Sequence, residues 1–136
     1  GVGARVATLE GEAFQVLEAL RGEGERFDLV ILDPPAFIKR RKDQAAGEAA
    51  YHRLHRLALQ VLAPGGVVVA ASCSFHYSEE ALRLSLLKAS RRLGRGLQIL
   101  ERGHQGPDHP VHPAIPETAY LKALLCRAWE EPGELR

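Results

Sequence analysis

The sequence predicts an α/β fold: one domain on a mostly parallel sheet that ends in an antiparallel hairpin. Three observations carry this. Strand-like and helix-like stretches alternate along most of the chain, which implies right-handed crossovers between parallel strands. Two of the strand-like stretches, residues 29–32 and 67–71, are unbroken apolar runs of the kind buried on both faces of a parallel sheet. The last two strand-like stretches have no helix between them, so one of that pair runs against the rest.

In order, residues 5–9 read as a short strand, since Val6, Thr8 and Leu9 have strand propensity. Residues 12–20 read as a helix, with Ala13, Val16, Leu17 and Leu20 on one apolar face. Arg21-Gly22-Glu23-Gly24 ends it. The central stretch follows, from Phe27 to Phe37. Leu29, Val30, Ile31 and Leu32 form its strand, Asp33 stands at the carboxyl end, and Pro34-Pro35 deny the backbone further ladder donors. Ligands in open α/β sheets bind at the carboxyl ends of strands, which makes Asp33 a candidate for chemistry. The plainer reading is an Asp that caps a turn.

Lys39-Arg40-Arg41-Lys42 is a basic run just after that turn. It reads either as a solvated loop or, because of its position, as a loop that contacts phosphates. A helix is expected over 48–62, with Leu54, Leu57, Ala58, Val61 and Leu62 as its stripe and Pro64-Gly65-Gly66 as its terminator. The strand at 67–71 runs into Ser72-Cys73-Ser74-Phe75-His76. Ser78 is an N-cap candidate, with Glu79 and Glu80 in the first turn of a helix that reaches about Leu93. Its core stripe is Leu82, Leu86, Ala89 and Leu93, and Arg91, Arg92 and Arg95 form a solvated basic end. Residues 97–100 are a third strand, 104–116 a Pro- and His-rich loop, 119–128 an apolar stretch that could be helix or strand and is read as a last strand, and 129–136 a polar tail.

The chain has 136 residues, 46% hydrophobic and 26% charged, which allows one domain with one core. A net charge of +1 argues neither for nor against nucleic acid. Two cysteines make no disulfide framework, which fits a reducing cytoplasm. No long apolar run marks a membrane span and no signal peptide opens the chain. There is no Met and the first residue is Gly1, so the chain is expected to be an internal piece of a longer protein.

Asp33 and Cys73 each follow a strand, and the two strands are joined by one helix. Both side chains are therefore expected at one sheet edge, in one cleft. Cys126, inside an apolar run, reads as an ordinary core thiol. Cys73, flanked by two serines at a strand end, reads equally as a nucleophile or as a bland residue.

Asp33-Pro34-Pro35-Ala36-Phe37 resembles the acidic-Pro-Pro-aromatic motif of class I S-adenosylmethionine-dependent methyltransferases. Together with Ser72-Cys73-Ser74, Pro64-Gly65-Gly66, the loop Gln105-Gly106-Pro107-Asp108-His109-Pro110 and Pro116-Glu117-Thr118-Ala119-Tyr120-Leu121-Lys122, it is similar to the bacterial PUA-linked family that methylates carbon 5 of cytosine in large-subunit (23S) ribosomal RNA. The resemblance implies a Rossmann-like class I methyltransferase sheet, S-adenosyl-L-methionine as cofactor and ribosomal RNA as partner. It implies Cys73 as the nucleophile that adds to carbon 6, because carbon 5 alone is a poor nucleophile. It implies Asp33 at the ring-nitrogen side of the base and the Pro34 and Pro35 backbone as the wall of the base slot. Phe37, His109 and the basic run Lys39, Arg40, Arg41 and Lys42 then belong to the substrate side. Asp33, Pro34, Gly11 and, where the family often has Asp, Glu12 belong to the cofactor side. The base that releases Cys73 is unassigned, since position 36 is Ala where many RNA members have a second Cys.

The resemblance also implies that the N-terminal strands of the sheet, with the glycine-rich loop and the ribose-binding acid, precede Gly1. The chain alone is then expected to bind cofactor weakly or not at all. Either the first strand pairs with the central one, or a second copy covers the gap as a homodimer. Four other readings compete, each through the residues it needs. A methyltransferase acting on adenine or guanine amino groups would use Asp33 without Cys73. A non-catalytic RNA-binding domain would keep the affinity without the transfer. Zinc at His104, Asp108, His109 and His112 is disfavoured by the absence of Cys pairs and by the prolines between the histidines. A dehydrogenase is disfavoured too, since no Gly-x-Gly-x-x-Gly follows a strand.

Overall fold

The computed structural model describes residues 1–131. Seven elements follow one another: α1 (Ala13–Gly22), β1 (Phe27–Leu32), α2 (Gln44–Val61), β2 (Leu62–Ser72), α3 (Glu79–Arg92), β3 (Arg95–His104) and β4 (Lys122–Glu130). The sheet order is β1-β2-β4-β3. β1 and β2 are parallel, with Val30 opposite Val68 and Leu32 opposite Ala70. β4 is wedged between β2 and β3 and runs against both, pairing Val68 with Cys126 and Gly96 with Trp129. Three of the four strands thus point one way, and the antiparallel closing hairpin is present as expected.

The helices cover one face only. Val68, Ala70, Leu124, Cys126 and Ala128 are buried on that face with Leu54, Ala58, Leu82, Leu86 and Ala89 of α2 and α3, and Phe14 and Leu17 of α1 pack against the same core. On the other face the alternate residues stand open: Leu29 is 53% and Ile31 64% exposed. This corrects the expectation that residues 29–32 are buried on both sides. The run is apolar throughout, yet β1 lies at the sheet edge with one face covered.

Residues 5–9 are not a strand. A 3-10 turn occupies Gly3–Arg5, and the chain then runs without ladder bonds to α1. Strand propensity cannot make a strand without a neighbour to exchange hydrogen bonds. The alternative that this segment pairs with the central strand is overturned with it. α1 starts at Ala13 because Glu12 is its N-cap, its carboxylate accepting from the N–H groups of Phe14 and Gln15 at 3.3 and 3.1 Å. α2 starts at Gln44, before the expected 48. Gly47 lies inside it because the helix presses on the preceding turn, and a Cβ there would meet Ile38 and come within 2.9 Å of the Phe37 carbonyl oxygen. Pro64-Gly65-Gly66 does not end the helix. Leu62 already opens β2, and the Pro-Gly-Gly segment is an irregularity that lets residues 62–67 span what residues 27–29 span in β1. β3 extends beyond 97–100 at both ends. Trp129 and Glu130 belong to β4 rather than to a tail, and 132–136 of that expected tail lie outside the described residues.

Two buried polar groups anchor the core. Arg95, 5% exposed, is not a solvated end. It donates to the carbonyls of Leu59, Leu62 and Ala63 at 2.5, 2.9 and 2.9 Å, tying β3 to the junction where α2 becomes β2. His55, 1% exposed, shares a 2.8 Å hydrogen bond between Nδ1 and the Ser85 hydroxyl and links α2 to α3. Burial, with a smaller contribution from His52, pushes its pKa from 6.5 down to about 3. A base whose folded pKa is depressed adds stability that is full above its unfolded pKa and is lost as pH falls. Between pH 7 and 5 the protein is therefore expected to lose about 2 kcal/mol of unfolding free energy at this group. Urea midpoints at the two pH values check this, and the His55→Leu variant should show a correspondingly smaller difference.

Candidate active site

The parallel register of β1 and β2 puts Asp33 and Cys73 just past neighbouring strand ends, as the sequence predicts. β4 begins and β3 ends at the same edge, since Lys122 lies opposite Ser72 and also opposite His104. The turns 33–43, 73–78 and 105–121 therefore gather at one edge of the sheet. Asp33 is exposed and Cys73 half-buried.

The two strand ends are physically linked. The Ile38 N–H donates to the Ser74 hydroxyl at 3.3 Å, across the buried space between the Asp-Pro-Pro turn and the cysteine turn. Beneath them lies Tyr51, fully buried, whose hydroxyl is 2.8 Å from Ser72 Oγ and 2.9 Å from Ser74 Oγ. Its ring stacks on Tyr77 at 4.1 Å and meets Phe37 at 4.8 Å. Both serines beside Cys73 are thus fixed by one phenol. Sequence reading missed Tyr51. The signal was its position three and four residues before Leu54 and His55 on the buried face of α2.

A cavity of about 570 Å³ opens beside Asp33. Its walls include Gly11, Glu12, Asp33, Pro34, Pro35 and Phe37, so every residue expected on the cofactor side lines one hollow. Apolar walls from Val30, Leu32 and Leu54 with a free carboxylate at the rim suit a ligand that carries both a flat apolar ring and polar hydroxyl or amino groups. Glu12 is already engaged as a helix cap, which leaves Asp33 the more available carboxylate. Phe37 is held inward between Phe14 and Tyr51, with ring centroids at 6.2 and 4.8 Å.

In the basic run, Arg40 pairs with Asp43, its Nε 3.0 Å from the carboxylate. Lys39, Arg41 and Lys42 are exposed and make no ion pair among the described residues. His109 is exposed and 3.2 Å from Asp108. Its loop is ordered by Gln105, which is buried, donates to the carbonyls of His109 and Thr118, and accepts from the Leu121 N–H. No group of three His, Cys, Asp or Glu among the described residues could hold a metal ion. No helix there is long and apolar enough to cross a membrane. Phe75, 46% exposed, stands two residues from Cys73 with His76 edge-on to it. Lys122 reaches back across the edge, its ammonium 2.6 Å from the Ser74 carbonyl and 2.5 Å from that of Tyr77.

This fold is that of the methyltransferases. A protein of Streptococcus mutans assigned as S-adenosylmethionine-dependent superposes with a TM-score of 0.69 at 20% identity, over 86% of this chain and 29% of that one. A methyltransferase homologue of Pyrococcus horikoshii superposes with a TM-score of 0.61 at 20% identity, over 90% and 44%. At these identities the likeness is one of fold alone. In sequence, the chain is homologous to Ribosomal RNA large subunit methyltransferase I of Serratia proteamaculans, 40% identical over 116 residues, or 85% of this chain. The enzyme of the same name from Yersinia pseudotuberculosis is 38% identical over the same length. The chain spans 29% of the length of these relatives. No protein-family model matches it.

Proposed function

We propose that the chain is the catalytic part of an S-adenosyl-L-methionine-dependent methyltransferase that forms 5-methylcytosine in large-subunit ribosomal RNA. The observation that carries this is the joining of the Asp33-Pro34-Pro35 turn to the Ser72-Cys73-Ser74 turn through the Ile38–Ser74 hydrogen bond. The homology to Ribosomal RNA large subunit methyltransferase I supports the choice of substrate.

Cys73 forms a bond from sulfur to carbon 6 of the cytosine ring. The electron pair of the carbon 5–carbon 6 double bond becomes available at carbon 5, and the ring nitrogen takes up a proton from water, a form of the adduct that the Asp33 carboxylate stabilises. The cavity beside Asp33 would hold S-adenosyl-L-methionine, which would supply the methyl group to carbon 5 and leave as S-adenosylhomocysteine. A base then removes the proton on carbon 5, the double bond reforms, the sulfur–carbon bond breaks with its electron pair going to sulfur, and the ring nitrogen returns its proton to water. Pro34 and Pro35 stiffen the wall against which the base lies, and Lys39, Arg41 and Lys42 offer charge to the RNA backbone.

Fluorine at carbon 5 cannot leave as a proton, so RNA containing 5-fluorocytosine should stop the reaction at the adduct. With the full-length protein and cofactor, a denaturant-resistant protein–RNA species cross-linked at Cys73 is expected, and none with Cys73→Ala. Methyl transfer at full rate by Cys73→Ala would replace this reading with transfer to an amino group. RNA binding with no transfer by the full-length protein would replace it with a non-catalytic RNA-binding domain.

A further inference from the structure

We propose that Lys122 is a positioning residue for Cys73: it clamps the turn that carries the sulfur and sets a fixed positive charge beside it. The proposal rests on the reading of Cys73 as the nucleophile. Lys122 is opposite Ser72 in the sheet, one residue from Cys73. Its ammonium bonds the carbonyls of Ser74 and Tyr77, the two ends of a turn that also closes on itself through the Tyr77 N–H to the Ser74 carbonyl at 3.0 Å. Tyr51 holds the same segment from the other side through both serine hydroxyls. The backbone on each side of Cys73 is therefore tied down.

The charge is the telling part. Lys122 is half-buried and has no carboxylate partner among the described residues. Burial pulls its pKa below the usual lysine range, and an ionised Cys73 sulfur works in the opposite direction. Neutral carbonyls use two of its three N–H groups and leave its charge unbalanced. A strand residue needed only to close a turn would not have to bring an uncompensated charge into a half-buried place, where it costs desolvation. Beside a sulfur that must act as an anion, the charge has a use.

The test needs neither cofactor nor RNA. Alkylation rates at Cys73 are measured with neutral iodoacetamide and anionic iodoacetate and assigned by peptide mass spectrometry, with buried Cys126 as the internal control. Lys122→Met is expected to lower the iodoacetate-to-iodoacetamide rate ratio roughly three- to tenfold. Lys122→Arg should retain the ratio, and Tyr51→Phe should change both rates together without changing it. An unchanged ratio in folded Lys122→Met overturns the proposal. Should that variant not fold, the unsubstituted protein decides: its ratio should fall toward that of a free cysteine as salt is raised, and a ratio insensitive to salt overturns the proposal equally. Failure here would leave the fluorocytosine adduct intact, whereas loss of the adduct with a preserved ratio would strike the nucleophile reading instead.

Discussion

Replacing Cys73 by alanine is expected to lower methyl transfer by a factor on the order of 10⁴ or more, with little change in RNA affinity. The size follows from the nucleophile role proposed for the sulfur. Without a bond at carbon 6, carbon 5 keeps its place in an aromatic ring and has no electron pair to offer. No neighbour can substitute, because the hydroxyls of Ser72 and Ser74 are committed to Tyr51 and Ser74 also accepts from Ile38. RNA affinity should survive because the exposed lysines and arginines of 39–42 are untouched. Single-turnover transfer from labelled cofactor, with filter binding of the same RNA, separates the two quantities. A loss of binding as large as the loss of rate would mean that Cys73 holds the turn rather than reacts.

The largest loss of stability is expected at Arg95. Arg95→Leu should cost about 3 kcal/mol or more, because it strips the partner from three carbonyls at one junction. These carbonyls belong to the last turn of α2 and the first residues of β2, where the helix ladder has ended and the sheet ladder is still irregular. Leucine can fill part of the volume but can donate to none of them. Arg95 Nε is also 3.2 Å from Glu130, which is 57% exposed, so that ion pair contributes little beside the carbonyl bonds. Arg95→Lys should recover part of the loss, since an ammonium can reach some of the acceptors but lacks the planar fork. Urea unfolding of the three proteins gives the ranking directly. Equal stability of Arg95→Leu would show that water satisfies the carbonyls.

The element types were largely legible in the chain. The periods that mark α1, α2 and α3 are borne out, as are the strands around 29–32, 67–71, 97–100 and 119–128. Ser78 caps α3 as expected, its hydroxyl accepting from the Ala81 N–H at 3.0 Å. The candidate site was legible for a related reason. Pro-Pro ends a strand whatever surrounds it, and a helix joining two parallel strands brings their carboxyl ends to one edge.

What the sequence by itself determined are properties that local chemistry dictates: the type and rough place of seven elements, and that Asp33 and Cys73 share an edge. Only the tertiary structure decided the rest, because those features depend on partners distant in the chain. Residues 5–9 have strand composition but no ladder, and Leu29 and Ile31 look doubly buried but face outward from an edge strand. Arg95 reads as a surface charge until three carbonyls from 32 to 36 positions away converge on it. Tyr51 shows in the chain only as a residue on the buried face of α2, and Lys122 only as the end of the 116–122 motif; neither shows which turn it meets. They reach the residues around Cys73 (Ser72, Ser74 and Tyr77) because β4 inserts beside β2 and α2 packs against the same turn, and a hydrogen bond depends on that spatial meeting rather than on sequence spacing.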